Sequence, residues 1–293
     1  MTSNEYPERG GFLTRILNGP YRFLIPFLMV ILAKLIASIV LYAALNMGAS
    51  PTYWMAVNGD TYGQNAILKE EIDQGSRWLY LFMGWDSSWY LSIIAKGYAF
   101  SSQSYAFFPG TPLFSWLINL ILRSPALAFV VFSSIAGVLW IPFYQLVAEE
   151  YFERGKALKF TLVYAFFPLV FLFTTVAYSE GLFLLTTLAA WYLFKKKKLL
   201  PSMISASIAV ISRPAGILIL LPIAMEMLKP NLRLSHVKLE WRKFLYLAIP
   251  LFSFFSWLLY CAETANNWLA PFSSTAWNDF YSFGCVYFSY FIG

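Results

Sequence analysis

Three ionisable side chains stand where the sequence is otherwise apolar or aromatic: Asp86 in Gly84-Trp85-Asp86-Ser87-Ser88-Trp89-Tyr90, Glu180 in Tyr178-Ser179-Glu180-Gly181, and Arg213 in Ser212-Arg213-Pro214-Ala215-Gly216. A carboxylate set among large aromatics is built like a sugar site or like a membrane-interface belt, and the aromatics alone fit both. Partial desolvation raises the pKa of such a carboxyl, which makes it a better general base toward a hydroxyl. The plainer role for Asp86 is an N-cap, because Asp followed by Ser-Ser-Trp-Tyr-Leu opens a helix over residues 87–96. A guanidinium in an apolar stretch suits a planar, multiply hydrogen-bonded anion such as a phosphate; the plainer reading of Arg213 is an ion pair with Glu180. Glu180 either positions hydroxyls of a substrate or fixes Arg213.

The elements that must position these groups follow from composition. Of 293 residues, 59% are hydrophobic, 20% aromatic and 12% charged, about half the charged share of an ordinary soluble domain. The net charge of +6 sits in short clusters between long apolar runs, the pattern of a polytopic membrane protein and not of a nucleic-acid binder. Two cysteines, Cys261 and Cys285, make neither a disulfide framework nor a metal-ligand set, and a solitary His236 removes the usual zinc chemistry. No cofactor and no metal are expected. Arg9, Arg15 and Arg22 precede an apolar run over residues 23–45 that is long enough to span and lacks an A-x-A-like cleavage site, so it reads as a retained first span.

Further spans are expected over residues 125–148, 158–178, 181–194, 199–228, 244–262 and 280–293, with residues 112–122 apolar but short. Basic residues gather at Arg9/Arg15/Arg22, Arg154/Lys156/Lys159, Lys195 to Lys198, and Lys229/Arg233/Lys238/Arg242/Lys243, fifteen of the 21 in the chain. The positive-inside rule places all four clusters in the cytoplasm. Residues 47–110, with three bases against five acids, and 263–279, with two acids and no base, then face outward. Parity makes 158–194 and 199–228 each go out and return, with tips at residues 178–181 and 212–216, where Pro214 removes a backbone donor and Gly216 loosens the helix. Residues 112–122 become a re-entrant or interfacial helix. The whole is one all-α membrane domain over residues 1–293, about eight spans, with residues 46–124 as a first external loop. Asp86, Glu180 and Arg213 all fall on or just below the external side and should line one polar cavity.

Other residues carry weaker signals. Lys34 inside the first span either faces a polar groove, the favoured reading, or marks a shifted span. Glu226 reads as solvated near the inner end of its hairpin, and Lys195 to Lys198 as a cytoplasmic anchor. The run Tyr105-Ala106-Phe107-Phe108-Pro109-Gly110-Thr111-Pro112 is a rigid aromatic turn that walls the external cavity or anchors the loop at the headgroups. No Walker loop, Rossmann fingerprint or DxD-like pair is present, so nucleotide-dependent chemistry lacks its phosphate cradle.

Trp85-Asp86, then Tyr90-Leu91, Ile94-Ala95 and Gly97-Tyr98, then Tyr105 to Gly110, together with Tyr178-Ser179-Glu180 and Arg213 in a small-residue helix break, resemble the PIG-V family, the second mannosyltransferase of GPI-anchor synthesis, and its prokaryotic relatives. The resemblance covers residues 85–216. It implies a GT-C bundle whose first external loop carries the catalytic aspartate, Asp86 here, with a polyprenyl-phosphate-mannose donor, a glycolipid or glycan acceptor and inversion at the sugar. On this reading Arg213 binds the donor phosphate, and Trp85, Tyr90, Phe108, Tyr178 and Glu180 bind substrate. The chain is shorter than eukaryotic members and ends in an apolar run, residues 283–293, as a compact relative or a fragment would. Its short loops favour a multi-pass place in a prokaryotic cell membrane with the active site facing outward. A lipid transporter or flippase is the alternative, since a broken helix with a charge at the break also marks transporters; an inactive scaffold is the third reading.

Overall fold

The computed structural model describes residue 19 and residues 22–47, 77–84, 86–228 and 241–273. Among the described residues every regular element is a helix. Three are long and apolar enough to cross a membrane: Leu24–Ala44, Pro125–Ala148 and Leu245–Ala265. Trp85, His236, Cys285, most of the basic cluster at 229–243, most of the expected first external loop before residue 77 and the expected last span at 280–293 lie outside the described residues.

Local chemistry explains where the helices begin and end. The first, α1 (Leu24–Asn46), is apolar apart from Lys34, Ser38 and the terminal Asn46. A 3₁₀ turn over Arg77–Phe82 leads to α2 (Ser87–Lys96), the helix expected from the residues after Asp86. It stops at Gly97, whose φ of 76° suits a residue without a Cβ. The next helix, α3 (Gly110–Leu122), starts at Pro109 and ends in a left-handed Arg123; Ser124 then caps α4 (Pro125–Ala148) by accepting from the Leu127 N–H at 3.3 Å, with Pro125 in the first turn. This tight turn sets α3 back against α4, with Phe114 stacked on Phe132 at 5.7 Å.

The run expected as a continuous span over residues 158–178 is instead two pieces, α5 (Arg154–Ala165) and α6 (Pro168–Phe173). Pro168 supplies no N–H and disfavours a helical Phe167, which has ψ 126°, so the helix breaks there. After it come α7 (Glu180–Lys195), α8 (Leu199–Ser212), a 3₁₀ turn over Pro214–Ile219, α9 (Leu220–Leu228) and α10 (Ala248–Ala265). The break in 199–228 falls at Arg213-Pro214, as Pro214 requires. A left-handed Lys197 makes the turn between α7 and α8, and Ser202 Oγ donates to the Ala190 carbonyl at 2.7 Å across the hairpin. Glu226 is not merely solvated: it pairs with Lys195 at 3.0 Å.

Backbone approaches backbone at the centre of the bundle. A Cβ on Gly181 would lie 2.7 Å from the Gly137 nitrogen, so the start of α7 rests directly on the middle of α4. Gly181→Ala should therefore force the two helices apart at a cost of about 1–3 kcal/mol. A lower midpoint in detergent-solubilised thermal unfolding checks this; an unchanged midpoint would mean the two backbones are not in contact.

Candidate functional site

Asp86 occupies the residue before α2, yet its carboxylate does not cap the helix. The Asp86 carbonyl accepts from Trp89 N–H at 3.0 Å and from Tyr90 N–H at 3.2 Å. Its Oδ2 accepts a short hydrogen bond from the Tyr178 hydroxyl, 92 residues further on. The capping expectation thus gives the helix start correctly and the partner of the side chain wrongly, because a hydroxyl supplied by tertiary packing competes with the local N–H groups.

Around this pair, residues 82–90 are stitched to residues 177–179. The Ala177 N–H donates to the Phe82 carbonyl at 2.6 Å. Ser87 Oγ accepts from the Gly84 N–H at 3.1 Å and donates to the Ala177 carbonyl at 2.7 Å. The Tyr90 hydroxyl donates to Ser179 Oγ at 3.0 Å. These bonds come from buried groups, Ser87 and Ser179 each being 1% exposed, where an unmade partner is costly. Ser87 and Ser179 sit inside the motifs read from the sequence, but nothing in their spacing points to each other's segment.

One residue beyond Ser179, Glu180 opens α7 and forms an ion pair with Arg213, the residue that ends α8. The pair is possible because the tight turn after Lys195 folds the two helices into a hairpin and brings the start of one beside the end of the other. Glu180 engages Nη1 only, and the arginine side chain stays 35% exposed. A guanidinium has five donors in a fork, so pairing with Glu180 and binding a further anion are compatible. The end of α8 is also pressed by α3: a Cβ on Gly110 would lie 2.7 Å from Ser212 Oγ. The N-termini of α2 and α7 thus open at the site and that of α3 beside it, each adding partial positive charge.

Burial raises the half-buried Asp86 carboxyl above its ordinary pKa, opposed by the Tyr178 hydrogen bond and by the charge of Arg213. If Asp86 works as a base it must be deprotonated, so activity falls on the acid side as pH drops through its pKa. Tyr178→Phe removes a contribution that lowers that pKa. The acid limb of the pH profile should move to higher pH, with activity down roughly three- to tenfold on that limb and little changed on the alkaline side. A limb that stayed put, or moved down, would dissociate Tyr178 from the carboxylate.

The other expected substrate contacts separate. Tyr178 and Glu180 join Asp86 and Arg213 in one group. Tyr90 is beside them, but it is 5% exposed and spends its hydroxyl on Ser179, with its ring edge-on to Phe107 at 5.3 Å and to Tyr178 at 5.9 Å. It frames the site. Phe108 is 2% exposed and packs on Trp257 at 6.0 Å and Phe272 at 6.5 Å, so its ring belongs to the core and not to a cavity wall. The polar groove expected around Lys34 is a closed socket of carbonyls, described below. Among the described residues no three His, Cys, Asp or Glu side chains gather where they could hold a metal ion.

Two concavities lie elsewhere on the molecule. One, of about 210 Å³, is a charged cup at the C-terminal ends of α4 and α7, where Arg22 clamps Glu149 through Nε at 2.7 Å and Nη2 at 2.5 Å. The other, of about 370 Å³, is an aromatic groove between α2, α3 and α10 lined by Tyr98, Trp116, Trp257 and Tyr260. Neither is lined by Asp86, Glu180 or Arg213.

No family model, curated protein or solved structure matches the chain.

Proposed function

We propose that the protein is a multi-pass membrane glycosyltransferase of GT-C type that moves a hexose, mannose on the resemblance to the PIG-V family, from a polyprenyl-phosphate sugar to a glycolipid or glycan acceptor. The observation that carries this reading is the half-buried Asp86 carboxylate, held through one oxygen by Tyr178 beside the Glu180–Arg213 pair. Such a carboxylate is oriented before substrate arrives and poised to take a proton.

In this reading the acceptor hydroxyl gives its proton to Asp86 as its oxygen attacks the anomeric carbon. The bond between that carbon and the phosphate oxygen breaks, its electron pair leaves with the polyprenyl phosphate, and the sugar inverts. The exposed part of Arg213 and the positive ends of α2 and α7 face the growing negative charge of the leaving phosphate, which is where fixed dipoles and cations lower a barrier. The three apolar helices supply the membrane context. About eight spans, with the site on the outer face of a prokaryotic cell membrane, complete the proposal.

The test is transfer from synthetic polyprenyl-phosphate-mannose to a panel of glycolipid acceptors in membranes carrying the protein. A product of inverted anomeric configuration is expected. No transfer to any acceptor, with donor hydrolysis also absent, would overturn the reading, and translocation of a labelled lipid would then favour the transporter.

A further inference from the structure

Lys34 lies midway along α1, a mainly apolar helix, and is 9% exposed. Among the described residues its ammonium meets no carboxylate. Its three protons go instead to the Gly137 carbonyl at 2.8 Å, the Thr174 carbonyl at 2.6 Å and Thr174 Oγ1 at 2.9 Å, so all of its donors are met. A buried ammonium met by neutral oxygens, with the Phe171 ring centroid 6.0 Å from Nζ, is costly compared with an apolar residue, and inside a membrane span such a group is read first as functional.

The partners show the use. Gly137 and Thr174 touch through their main chains: a Cβ on Gly137 would lie 2.1 Å from the Thr174 oxygen and 3.5 Å from Lys34 Nζ. Two carbonyl oxygens converge on one nitrogen, and without the cation they would repel. Thr174 ends the short α6 and begins the irregular stretch that carries Tyr178 and leads into Glu180. At its far end the stretch is pinned by the contact of Gly181 with the same Gly137. Gly137 is therefore the anvil for both ends, and Lys34 holds one end down.

We propose that Lys34 is a positioning residue for the site: by clamping Thr174 to Gly137 its ammonium sets the course of residues 174–180, and with it where Tyr178 meets Asp86 and Glu180 meets Arg213. Only the activity arm of the test below rests on the glycosyltransferase reading.

The full chain in nanodiscs is compared with Lys34→Met, which keeps length without charge, and with the milder Thr174→Val, which removes one of the three acceptors. Amide hydrogen exchange over residues 174–182 should accelerate by about tenfold in Lys34→Met and about two- to threefold in Thr174→Val, while residues 110–122 stay as protected as in the parent. In the transfer assay both variants should move the acid limb upward, as Tyr178→Phe does, and Lys34→Met added to Tyr178→Phe should move it no further. A lysine that merely stabilised the fold would lower the amount of active protein and leave the limb in place. Unchanged exchange over 174–182 in folded variants overturns the proposal, as does lowered transfer with an unmoved limb. Should Lys34→Met not fold, Thr174→Val decides alone. Should the parent show no transfer, the glycosyltransferase reading falls and the exchange result still decides the role of Lys34.

Discussion

Asp86→Asn should abolish sugar transfer, by a factor of about 10²–10⁴ or more if the carboxylate is the general base, and leave the fold intact. The amide oxygen of the introduced asparagine still accepts from the Tyr178 hydroxyl, and the backbone start of α2 does not depend on the side chain. Above the folded-state pKa of Asp86 the substitution should even favour the folded state. Burial raises the Asp86 pKa in the folded protein above its unfolded value, so the group favours folding below the unfolded pKa. That contribution is lost as pH rises through the folded pKa. Above the folded-state pKa the wild-type carboxylate is charged against its surroundings, and asparagine removes that charge. Inactive protein with a thermal midpoint at or above wild type is the expected pairing, a local exchange of stability for function. Full transfer by the Asp86→Asn protein would sink the assignment.

Arg213→Ala should produce the second large effect, and it has two components. Donor use should fall by about tenfold to a hundredfold, read as a raised donor KM and lowered kcat with acceptor KM little changed, if the guanidinium meets the phosphate. Glu180 is also left without its cation. With side chains 35% and 21% exposed, the pair lies between surface and interior, and its rupture should cost about 1–2 kcal/mol of stability. Combining Arg213→Ala with Glu180→Gln separates the components, since the neutral glutamine relieves the stability loss but cannot restore phosphate binding. Recovery of donor use in the double variant would reduce Arg213 to a structural partner of Glu180.

The parts of this fold legible in the sequence are those dictated within one turn of chain. The start of α2 after Asp86, Pro125 opening α4 and the break at Arg213-Pro214 each depend on a cap, a missing N–H or a glycine a few residues away. A continuous span over residues 158–178 is the wrong reading because hydropathy does not register Pro168 in an apolar run. The association of Asp86, Glu180 and Arg213 is foreseeable from charge topology, but not the partner that each side chain takes. The Tyr178 hydroxyl reaches Asp86 across 92 residues, and the Lys34 ammonium reaches Thr174 across 140; no periodicity encodes such distances. Phe108 has the site's motifs as its neighbours in the chain, whereas Trp257, far along the sequence, draws it into the core.

The hairpin of α7 and α8 has a further consequence. Its arms run 16 and 14 residues from a common turn, about 24 and 21 Å of rise, and the site charges Glu180 and Arg213 sit at the two free ends. The turn is a ruler's zero mark: one residue added to either arm swings its terminal charge by about 100° around the helix axis, off its partner. The left-handed turn at Lys197 and the lengths of the two arms, rather than the charges of Lys195 to Lys198, set where the ion pair forms. The dimension that sets where the site charges meet at one end of the hairpin is thus counted from its opposite end.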